Sequence, residues 1–156
     1  MTTLKKVLFV CHGNVCRSAM AQAIFSKIVK ECGLENEIAV DSAATSTEEI
    51  GNPPHPEVRK LLDQKQISYA GQHSRQIESS DFKKYDLIIG MDYENMNNLL
   101  HWAPKDQAHK IHLCLDVIDG LQGKEIADPW YTGNFDLTFE QINEAMPKWI
   151  DYVLNM

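Results

Sequence analysis

The chain has 156 residues, of which 44% are apolar and 24% are charged, as in an ordinary soluble domain. This composition excludes a disordered chain, a collagen-like fibre and a small disulfide-stabilised scaffold. With 22 acidic and 15 basic side chains, the formal net charge is -7. Such a surface repels nucleic-acid phosphates and anionic lipid, so neither a nucleic acid nor a membrane is expected as a partner.

The N-terminal segment predicts a cytoplasmic protein, and the length predicts one domain spanning residues 1–156. Lys5 and Lys6 precede an apolar run at 7–10, but this run is too short for a signal peptide. No stretch approaches the roughly 20 apolar residues that span a bilayer. In a reducing compartment cysteines stay as thiols, and we expect Cys32 and Cys114 to be packing residues.

Short apolar runs alternate with amphipathic segments along the chain, which is typical of an α/β domain with a parallel sheet and helices on both faces. The predicted strands are, in chain order, 7–10, 38–40, 86–91 and 110–115. The predicted helices are 18–32, one opened by Pro56, a short one around Phe82, 94–102, and one beginning near Thr138. Pro147 lies inside the last helix, where a kink or break is expected.

The segment after the first strand is the first candidate for a site, because such sheets bind ligands beyond the carboxyl ends of their strands. It consists of Cys11, His12, Gly13, Asn14, Val15, Cys16, Arg17 and Ser18. A tight loop at a helix N-terminus turns its backbone N–H groups inward and makes an anion-binding concavity. Gly13 and Asn14 tolerate the left-handed backbone that such a curl requires. The segment therefore predicts a binding site for one tetrahedral oxyanion.

Cys11 and Arg17 have the chemistry of a nucleophile and a phosphate clamp. The helix dipole, the inward N–H groups and Arg17 favour a thiolate, which attacks phosphorus to form a cysteinyl-phosphate. The planar guanidinium of Arg17 matches two equatorial phosphoryl oxygens and stabilises the transition state. The hydroxyl of Ser18 is placed to donate to the departing thiolate. The position between a buried strand and a helix makes this spacing specific.

A thiolate nucleophile also needs a proton donor for the leaving alcohol, and the candidate is Asp128. Pro129 follows it and stiffens the loop, while Trp130 and Tyr131 would form walls of the pocket mouth. An aryl ester would stack well between two aromatic side chains. Taken alone, Asp-Pro is an ordinary turn, so this assignment depends on the cysteine loop.

Along nearly its whole length the chain resembles the low-molecular-weight protein tyrosine phosphatases. The resemblance rests on six landmarks in order, at residues 10–18, 41–46, 51–54, 73–76, 91–92 and 128–129. It implies a four-stranded parallel sheet in the order 2-1-3-4 with the phosphate-binding loop after strand 1. It also implies hydrolysis of phosphotyrosine and aryl phosphate monoesters through a cysteinyl-phosphate, with no metal or other cofactor.

The resemblance assigns roles to matching residues. Cys11 matches the nucleophile, Arg17 the phosphate clamp and Asp128 the general acid and base. Ser18 matches the residue that hydrogen-bonds the thiolate. The set that matches the support of the strained loop is Asn14, Ser42 and His73.

The resemblance also bears on redox chemistry and partners. Cys16 matches a second cysteine, which would capture oxidised Cys11 as a disulfide and protect it from further oxidation. The implied substrates are phosphotyrosine-containing proteins, and the implied inhibitors are inorganic phosphate and other oxyanions. A monomer or weak dimer is expected.

The chain departs from the family pattern mainly at the rim of the pocket. Glu48 and Glu49 stand where an aromatic residue is usual, His55 replaces a common aspartate, and Trp130 replaces a frequent tyrosine. We expect the substrate ring to enter between the loop carrying Glu48 and the loop carrying Trp130 and Tyr131. The departures therefore concern substrate preference, while the chemistry is unaffected. His12 is an unusual polar residue within the loop, and we expect it to act through its backbone.

Four other functions are weighed against this one. An arginine-directed protein phosphatase would need a small selective residue in the loop, where this chain has Val15. A thioredoxin-coupled arsenate reductase needs further cysteines after the third strand, and residues 91–101 contain none. A non-catalytic phosphoprotein-binding module would not need to retain both Cys11 and Asp128. Metal hydrolysis is disfavoured because His109 and His112 would fall on opposite faces of a strand.

Overall fold

The structure is a computed structural model that describes residues 3–156. Its centre is one sheet of four parallel strands in the order β2-β1-β3-β4. The strands are β1 (Lys5–Cys11), β2 (Ile38–Ala44), β3 (Leu87–Gly90) and β4 (Ile111–Leu113). This confirms the predicted parallel sheet and its strand order.

Six α-helices lie among the described residues. They are α1 (Arg17–Glu31), α2 (Pro56–Gln64), α3 (Asp81–Lys84), α4 (Tyr93–Trp102), α5 (Pro129–Thr132) and α6 (Phe135–Leu154). Short 3₁₀ segments at Lys105–Lys110 and Cys114–Val117 flank β4. No helix within residues 3–156 is long and apolar enough to cross a membrane.

Helices cover both faces of the sheet, as predicted. Val7 and Phe9 of β1 share a buried cluster with Met20, Leu62 and Trp149 from α1, α2 and α6. Since alternate side chains of a strand point to opposite faces, the intervening side chains of β1 pack on the opposite face of the sheet. The central strand is therefore buried on both sides, which explains its continuous apolar sequence.

The second cluster lies on the other face of the sheet. Leu8 and Val10 of β1 share it with Phe82 of α3 and Leu99 of α4. This smaller layer supports β3 and β4, so the carboxyl ends of the strands are held from both faces.

Strand β2 is longer than predicted, and this extension brings a polar residue to the site. The apolar run ends at 40, but pairing with β1 continues until Ala44 lies opposite Cys11. Asp41 and Ser42 interrupt the apolar pattern, so the second half of the strand was not predicted. Ser42 is nevertheless buried, close to the loop that follows β1.

Helix α6 begins earlier than predicted and is not broken by Pro147. The side chain of Asn134 caps it by accepting the N–H of Leu137 at 3.0 Å. Thr138 lies inside the helix instead of capping it, and its hydroxyl donates to the carbonyl of Ala127 at 2.9 Å. Thr138 thereby ties α6 to the segment that leads into Asp128.

The predicted positions of the two packing cysteines are only partly correct. Strand β4 ends at Leu113, whose N–H donates to Asp116 at 3.1 Å, and Cys114 begins a 3₁₀ turn rather than lying in the strand. Cys114 is fully buried, and its carbonyl accepts the indole N–H of Trp149 at 2.7 Å. Cys32 is exposed after the end of α1, so the expectation that it packs in the core is wrong.

Candidate active site

Cys11 is the last residue of β1, and the loop at residues 12–16 curls around its sulfur. Its Sγ lies 3.0 Å from the hydroxyl oxygen of Ser18. The backbone N–H groups of Asn14 and Ser18 donate to the same sulfur at 3.3 and 3.4 Å. The side chain of Cys11 is buried, and α1 begins directly after the loop. Two backbone N–H groups and one hydroxyl therefore converge on the sulfur, with the positive ends of their dipoles toward it.

Asn14 holds the loop in its curled conformation. Its backbone has a φ of 59°, in the left-handed region that asparagine tolerates better than most residues. Its side-chain amide donates to the hydroxyls of Ser18 at 2.7 Å and Ser42 at 2.9 Å. Its amide oxygen accepts the backbone N–H of Arg75 at 3.2 Å. Because the Ser18 oxygen already accepts from Asn14, its own hydrogen is free to point at Cys11.

His73 does not join this network, so the prediction that it supports the loop is wrong. It is exposed, and its Nδ1 lies 3.1 Å from the carbonyl of Gly71. The neighbouring Ser74 is buried and donates to the carbonyl of Gly13 at 2.9 Å. Adjacent residues of an extended segment point in opposite directions, so Ser74 faces the loop where His73 cannot.

Arg17 is buried and held by three oxygen atoms. Its Nη1 donates to a carboxylate oxygen of Asp92 at 2.7 Å and to the carbonyl of Ile126 at 3.2 Å. Its Nη2 donates to Asp128 at 3.3 Å. Burial acts to lower the pKa of Arg17, but the nearby Cys11, Asp92 and Asp128 outweigh it and raise the pKa above its usual value. The guanidinium therefore remains charged and is aimed before any ligand arrives.

Asp92 has two structural roles that sequence reasoning missed. One oxygen of its carboxylate caps α4 by accepting the N–H of Asn95 at 2.8 Å. The other orients Arg17 across the sheet. The available signal was an aspartate between a buried strand and a helix, which predicts a cap but not the distant arginine.

Asp128 stands at the N-terminus of α5, directly above the loop. One carboxylate oxygen accepts the backbone N–H of Trp130 at 3.0 Å, and the other contacts Arg17. Its side chain is about a quarter exposed, at 26%. The carboxylate therefore faces the pocket that also contains Cys11.

The pocket at the loop has a volume of about 160 Å³. The loop and the residues on either side of it form the floor of the pocket: Cys11, His12, Gly13, Val15, Cys16 and Arg17. Glu48, Asp128, Trp130 and Tyr131 line its sides, so the structure brings the predicted rim residues to one opening. Among residues 3–156 no group of three or more His, Cys, Asp or Glu side chains is arranged to hold a metal ion.

The side chain of His12 takes part in the rim, in addition to its backbone position in the loop. Its Nε2 lies 3.1 Å from Glu48, and its Nδ1 lies 3.7 Å from Glu94. Its carbonyl accepts both the N–H and the hydroxyl of Ser46. The expectation that His12 acts through its backbone alone is therefore incomplete.

Cys16 is a buried thiol within the loop. Burial, followed by the negative charges of Cys11 and Asp128, raises its pKa to about 12. Cys16 thus stays protonated near neutral pH, and a protonated thiol is a poor nucleophile.

The buried thiols predict a loss of stability at alkaline pH. The pKa values of Cys16 and Cys114 are both raised from 9.0 to about 12, so between these values only the unfolded chain releases their protons. The free energy of unfolding should therefore be unaffected by them below pH 9 and fall as pH rises from 9 to 12. The slope is about 1.4 kcal/mol per pH unit for each thiol.

Urea unfolding at pH 8 and pH 10.5 measures this slope, with reductant present. Cys114→Ala should remove about half of the thiol contribution to this slope. Equal slopes for wild type and Cys114→Ala would contradict the prediction.

The fold and the loop together define an α/β domain of the cysteine-phosphatase class, with an oxyanion loop after the central strand. The sequence model of the low molecular weight phosphotyrosine protein phosphatase family matches residues 6–155. The chain belongs to this family, as its sequence landmarks predicted.

Individual relatives agree with this membership. The low molecular weight protein-tyrosine-phosphatase YfkJ of Bacillus subtilis is 42% identical over 130 residues, 83% of each chain. PtpA of Staphylococcus epidermidis is 35% identical over 148 residues, 95% of this chain and 93% of its own. The crystal structure of YfkJ superposes with a TM-score of 0.94 at 36% identity, covering 98% of this chain and 96% of that one. A protein tyrosine phosphatase from Entamoeba histolytica gives 0.90 at 30% identity over 97% of both chains.

Proposed function

We propose that this protein tyrosine phosphatase hydrolyses phosphotyrosine in proteins, with Cys11 as nucleophile, Arg17 as phosphate clamp and Asp128 as general acid and base. The observation that carries the proposal is the convergence of these side chains on one pocket. The sulfur and the guanidinium are supplied by the loop segment at residues 11–17, and the carboxylate comes from Asp128, 111 positions after Arg17. Each has the chemistry that phosphomonoester hydrolysis requires at its position.

Phosphate binding begins with the loop and Arg17. The backbone N–H groups of residues 12–18 surround the phosphoryl oxygens, and the fork of Arg17 takes two of them. Asp92 and the carbonyl of Ile126 hold Nη1, whereas the contact of Nη2 with Asp128 is longer at 3.3 Å. An arriving phosphate competes for Nη2, which leaves the Asp128 carboxyl free for the leaving oxygen.

In the first chemical step the sulfur of Cys11 attacks phosphorus in line with the phenolic oxygen. The S–P bond forms, the P–O bond to the tyrosine ring breaks, and Asp128 gives its proton to the phenolate. The transferring charge lies on oxygens contacted by Arg17 and by backbone N–H groups, which stabilise it.

In the second step water attacks the cysteinyl-phosphate. Asp128 takes a proton from the water, the S–P bond breaks, and inorganic phosphate and the thiolate are released. Ser18 and the N–H of Asn14 donate to the sulfur as it departs. Because the product occupies the same loop, inorganic phosphate and similar oxyanions are expected to inhibit competitively.

Hydrolysis of p-nitrophenyl phosphate tests this function at mildly acidic pH, with a chelator and a reductant present. We expect turnover under these conditions, and faster hydrolysis of a phosphotyrosine peptide than of a phosphoarginine peptide. The arginine-directed alternative predicts the opposite order for the two peptides. Val15, the loop position that would select phosphoarginine in that alternative, lines the pocket. Absence of any turnover would contradict the proposal.

The proposal extends to redox behaviour and setting. After a peroxide oxidises Cys11 to a sulfenic acid, the Cys16 sulfur attacks it, an S–S bond forms and water leaves. Since the pKa of Cys16 is about 12, this capture should be slow at neutral pH and faster in base.

A thiol nucleophile also suits a reducing compartment, and we propose that the protein acts in the cytoplasm. We further propose that it is a monomer or a weak dimer.

Replacing Glu48 by tyrosine should improve the binding of aryl phosphates. Glu48 lines the pocket with its side chain 69% exposed, so a ring at this position would face a substrate ring across the opening. We expect KM for p-nitrophenyl phosphate to fall by about two- to tenfold, the effect of one aromatic pair. Glu48→Gln is the matched control, because it removes the charge and adds no ring. An unchanged KM for Glu48→Tyr would show that position 48 does not contact the substrate.

A further inference from the structure

Two of the rim residues that depart from the family pattern are in contact with each other. The rings of His55 and Trp130 meet edge to face, with centroids 6.0 Å apart and planes at 86°. His55 also lies 5.1 Å from the ring of Phe135, at the start of α6. The imidazole thus contacts two other aromatic rings.

His55 is fixed to the rigid part of the site. Its backbone N–H donates to the carbonyl of Val15 in the phosphate loop at 2.9 Å. Its Nδ1 accepts the N–H of Glu57 at 3.1 Å and so caps α2. Pro54 and Pro56 restrict the backbone on either side. The ring therefore keeps a constant position relative to the loop.

Trp130 has much less support. It belongs to the four-residue helix α5, and 62% of it is exposed. Its backbone N–H donates to Asp128, so movement of the indole is coupled to the proposed acid. The imidazole of His55 is a fixed surface against which this exposed indole rests.

The indole also separates two concave surfaces. It lines the catalytic pocket on one side. On the other it lines a groove of about 310 Å³, together with Asn52, Pro53, His55 and Arg59. A shift of the indole toward the groove would widen the catalytic pocket and remove one of its two aromatic walls.

We propose that His55 is a positioning residue for substrate recognition, which holds Trp130 as the wall against which the substrate's ring stacks. The ring contact of His55 with Trp130 performs this role, and its Nδ1 serves the separate purpose of capping α2. This inference rests on the proposed binding of aryl phosphates in the pocket. Recognition of the substrate's ring would then depend on the contact between His55 and Trp130, neither of which takes part in the bond-making steps.

A crossed pair of variants separates the two roles of the imidazole. His55→Asn keeps a good helix cap and loses the ring, whereas His55→Phe keeps the ring and loses the cap. We expect His55→Asn to raise KM for a phosphotyrosine peptide by about two- to tenfold, with little change in kcat. His55→Phe should restore KM to near the wild-type value, although it should lower the melting temperature.

Inhibition by inorganic phosphate is the control for the loop. Phosphate occupies the loop and has no ring, so its inhibition constant should be the same in wild type and His55→Asn. An equal rise in KM and in the phosphate inhibition constant would place the effect in the loop, through Val15, and would overturn the proposal. So would an equal rise in KM for His55→Asn and His55→Phe.

A spectroscopic measurement detects the contact directly. In protein labelled with 5-fluorotryptophan, the fluorine resonance of Trp130 is assigned by its absence in Trp130→Phe. It should move in His55→Asn and stay near its wild-type position in His55→Phe, while the resonances of Trp102 and Trp149 remain fixed. An unmoved Trp130 resonance in His55→Asn would overturn the proposal.

Trp130→Ala keeps the test decisive if the His55 variants fold poorly. Trp130→Ala should raise KM as His55→Asn does, and combining the two changes should add no further increase. Additive effects would show that the residues act independently. If Trp130→Ala leaves KM unchanged, the rim role of Trp130 fails, but hydrolysis through Cys11 is still tested separately by the Cys11 variant.

Discussion

Cys11→Ser should abolish turnover while phosphate binding survives. The hydroxyl of serine is far less acidic than a thiol, so it stays protonated and is a much weaker nucleophile. We expect kcat to fall by at least about 10⁴-fold, since loss of a nucleophile removes the covalent route entirely. The loop's backbone donors and Arg17 are unchanged, so oxyanion affinity should stay within a few-fold of wild type.

Two measurements on the same preparation test this result. Hydrolysis of p-nitrophenyl phosphate gives the loss of kcat, and calorimetric titration with inorganic phosphate gives the retained affinity. Cys32→Ser is the matched control, because Cys32 is an exposed thiol outside the pocket and its replacement should leave both values unchanged. Steady-state turnover by Cys11→Ser within tenfold of wild type would disprove the nucleophile assignment.

Asp128→Asn should slow substrates with poor leaving groups far more than activated ones. Asparagine keeps the oxygen that accepts the Trp130 N–H, so α5 should remain in place while the transferable proton is lost. For phenyl phosphate, whose leaving group needs protonation, we expect kcat to fall by about 10²- to 10³-fold. For p-nitrophenyl phosphate, whose anion leaves readily, the loss should be at least tenfold smaller.

Asp92→Asn is the matched control for this leaving-group test. Asp92 also contacts Arg17, but it caps α4 and does not reach the leaving oxygen in the proposed mechanism. Its replacement should slow both substrates by similar factors, because it disturbs the clamp and not the proton transfer. Equal losses on both substrates for Asp128→Asn would remove Asp128 as the acid.

The loop was predictable because its chemistry is contiguous in sequence. Residues 11–18 contain the sulfur, the flexible Gly-Asn pair and the arginine within a single turn. The preceding apolar run places them at the carboxyl edge of a sheet. The physical requirements of an anion site are therefore met by neighbours along the chain, and no knowledge of distant contacts is needed.

The supports of the site were harder to predict because they depend on side-chain direction and long-range contacts. The extended segment that contains His73 and Ser74 runs beside the end of β2, and its register decides which of the two side chains faces the loop. A register shift of one residue would exchange them. Asp92 reads as a helix cap, and its contact with Arg17 joins residues 75 positions apart. The contact between His55 and Trp130 likewise exists only in the folded chain.

The position of Cys11 at the end of the central strand has a consequence for heat inactivation. Its strand is paired on both sides and buried on both faces, which is where amide hydrogens exchange last and local opening is rarest. Displacing the sulfur of Cys11 therefore requires opening the pairing of β1 with β2, which continues as far as Cys11 opposite Ala44. Residual activity during a temperature ramp should then follow global unfolding, so that a colorimetric assay reports the folded fraction.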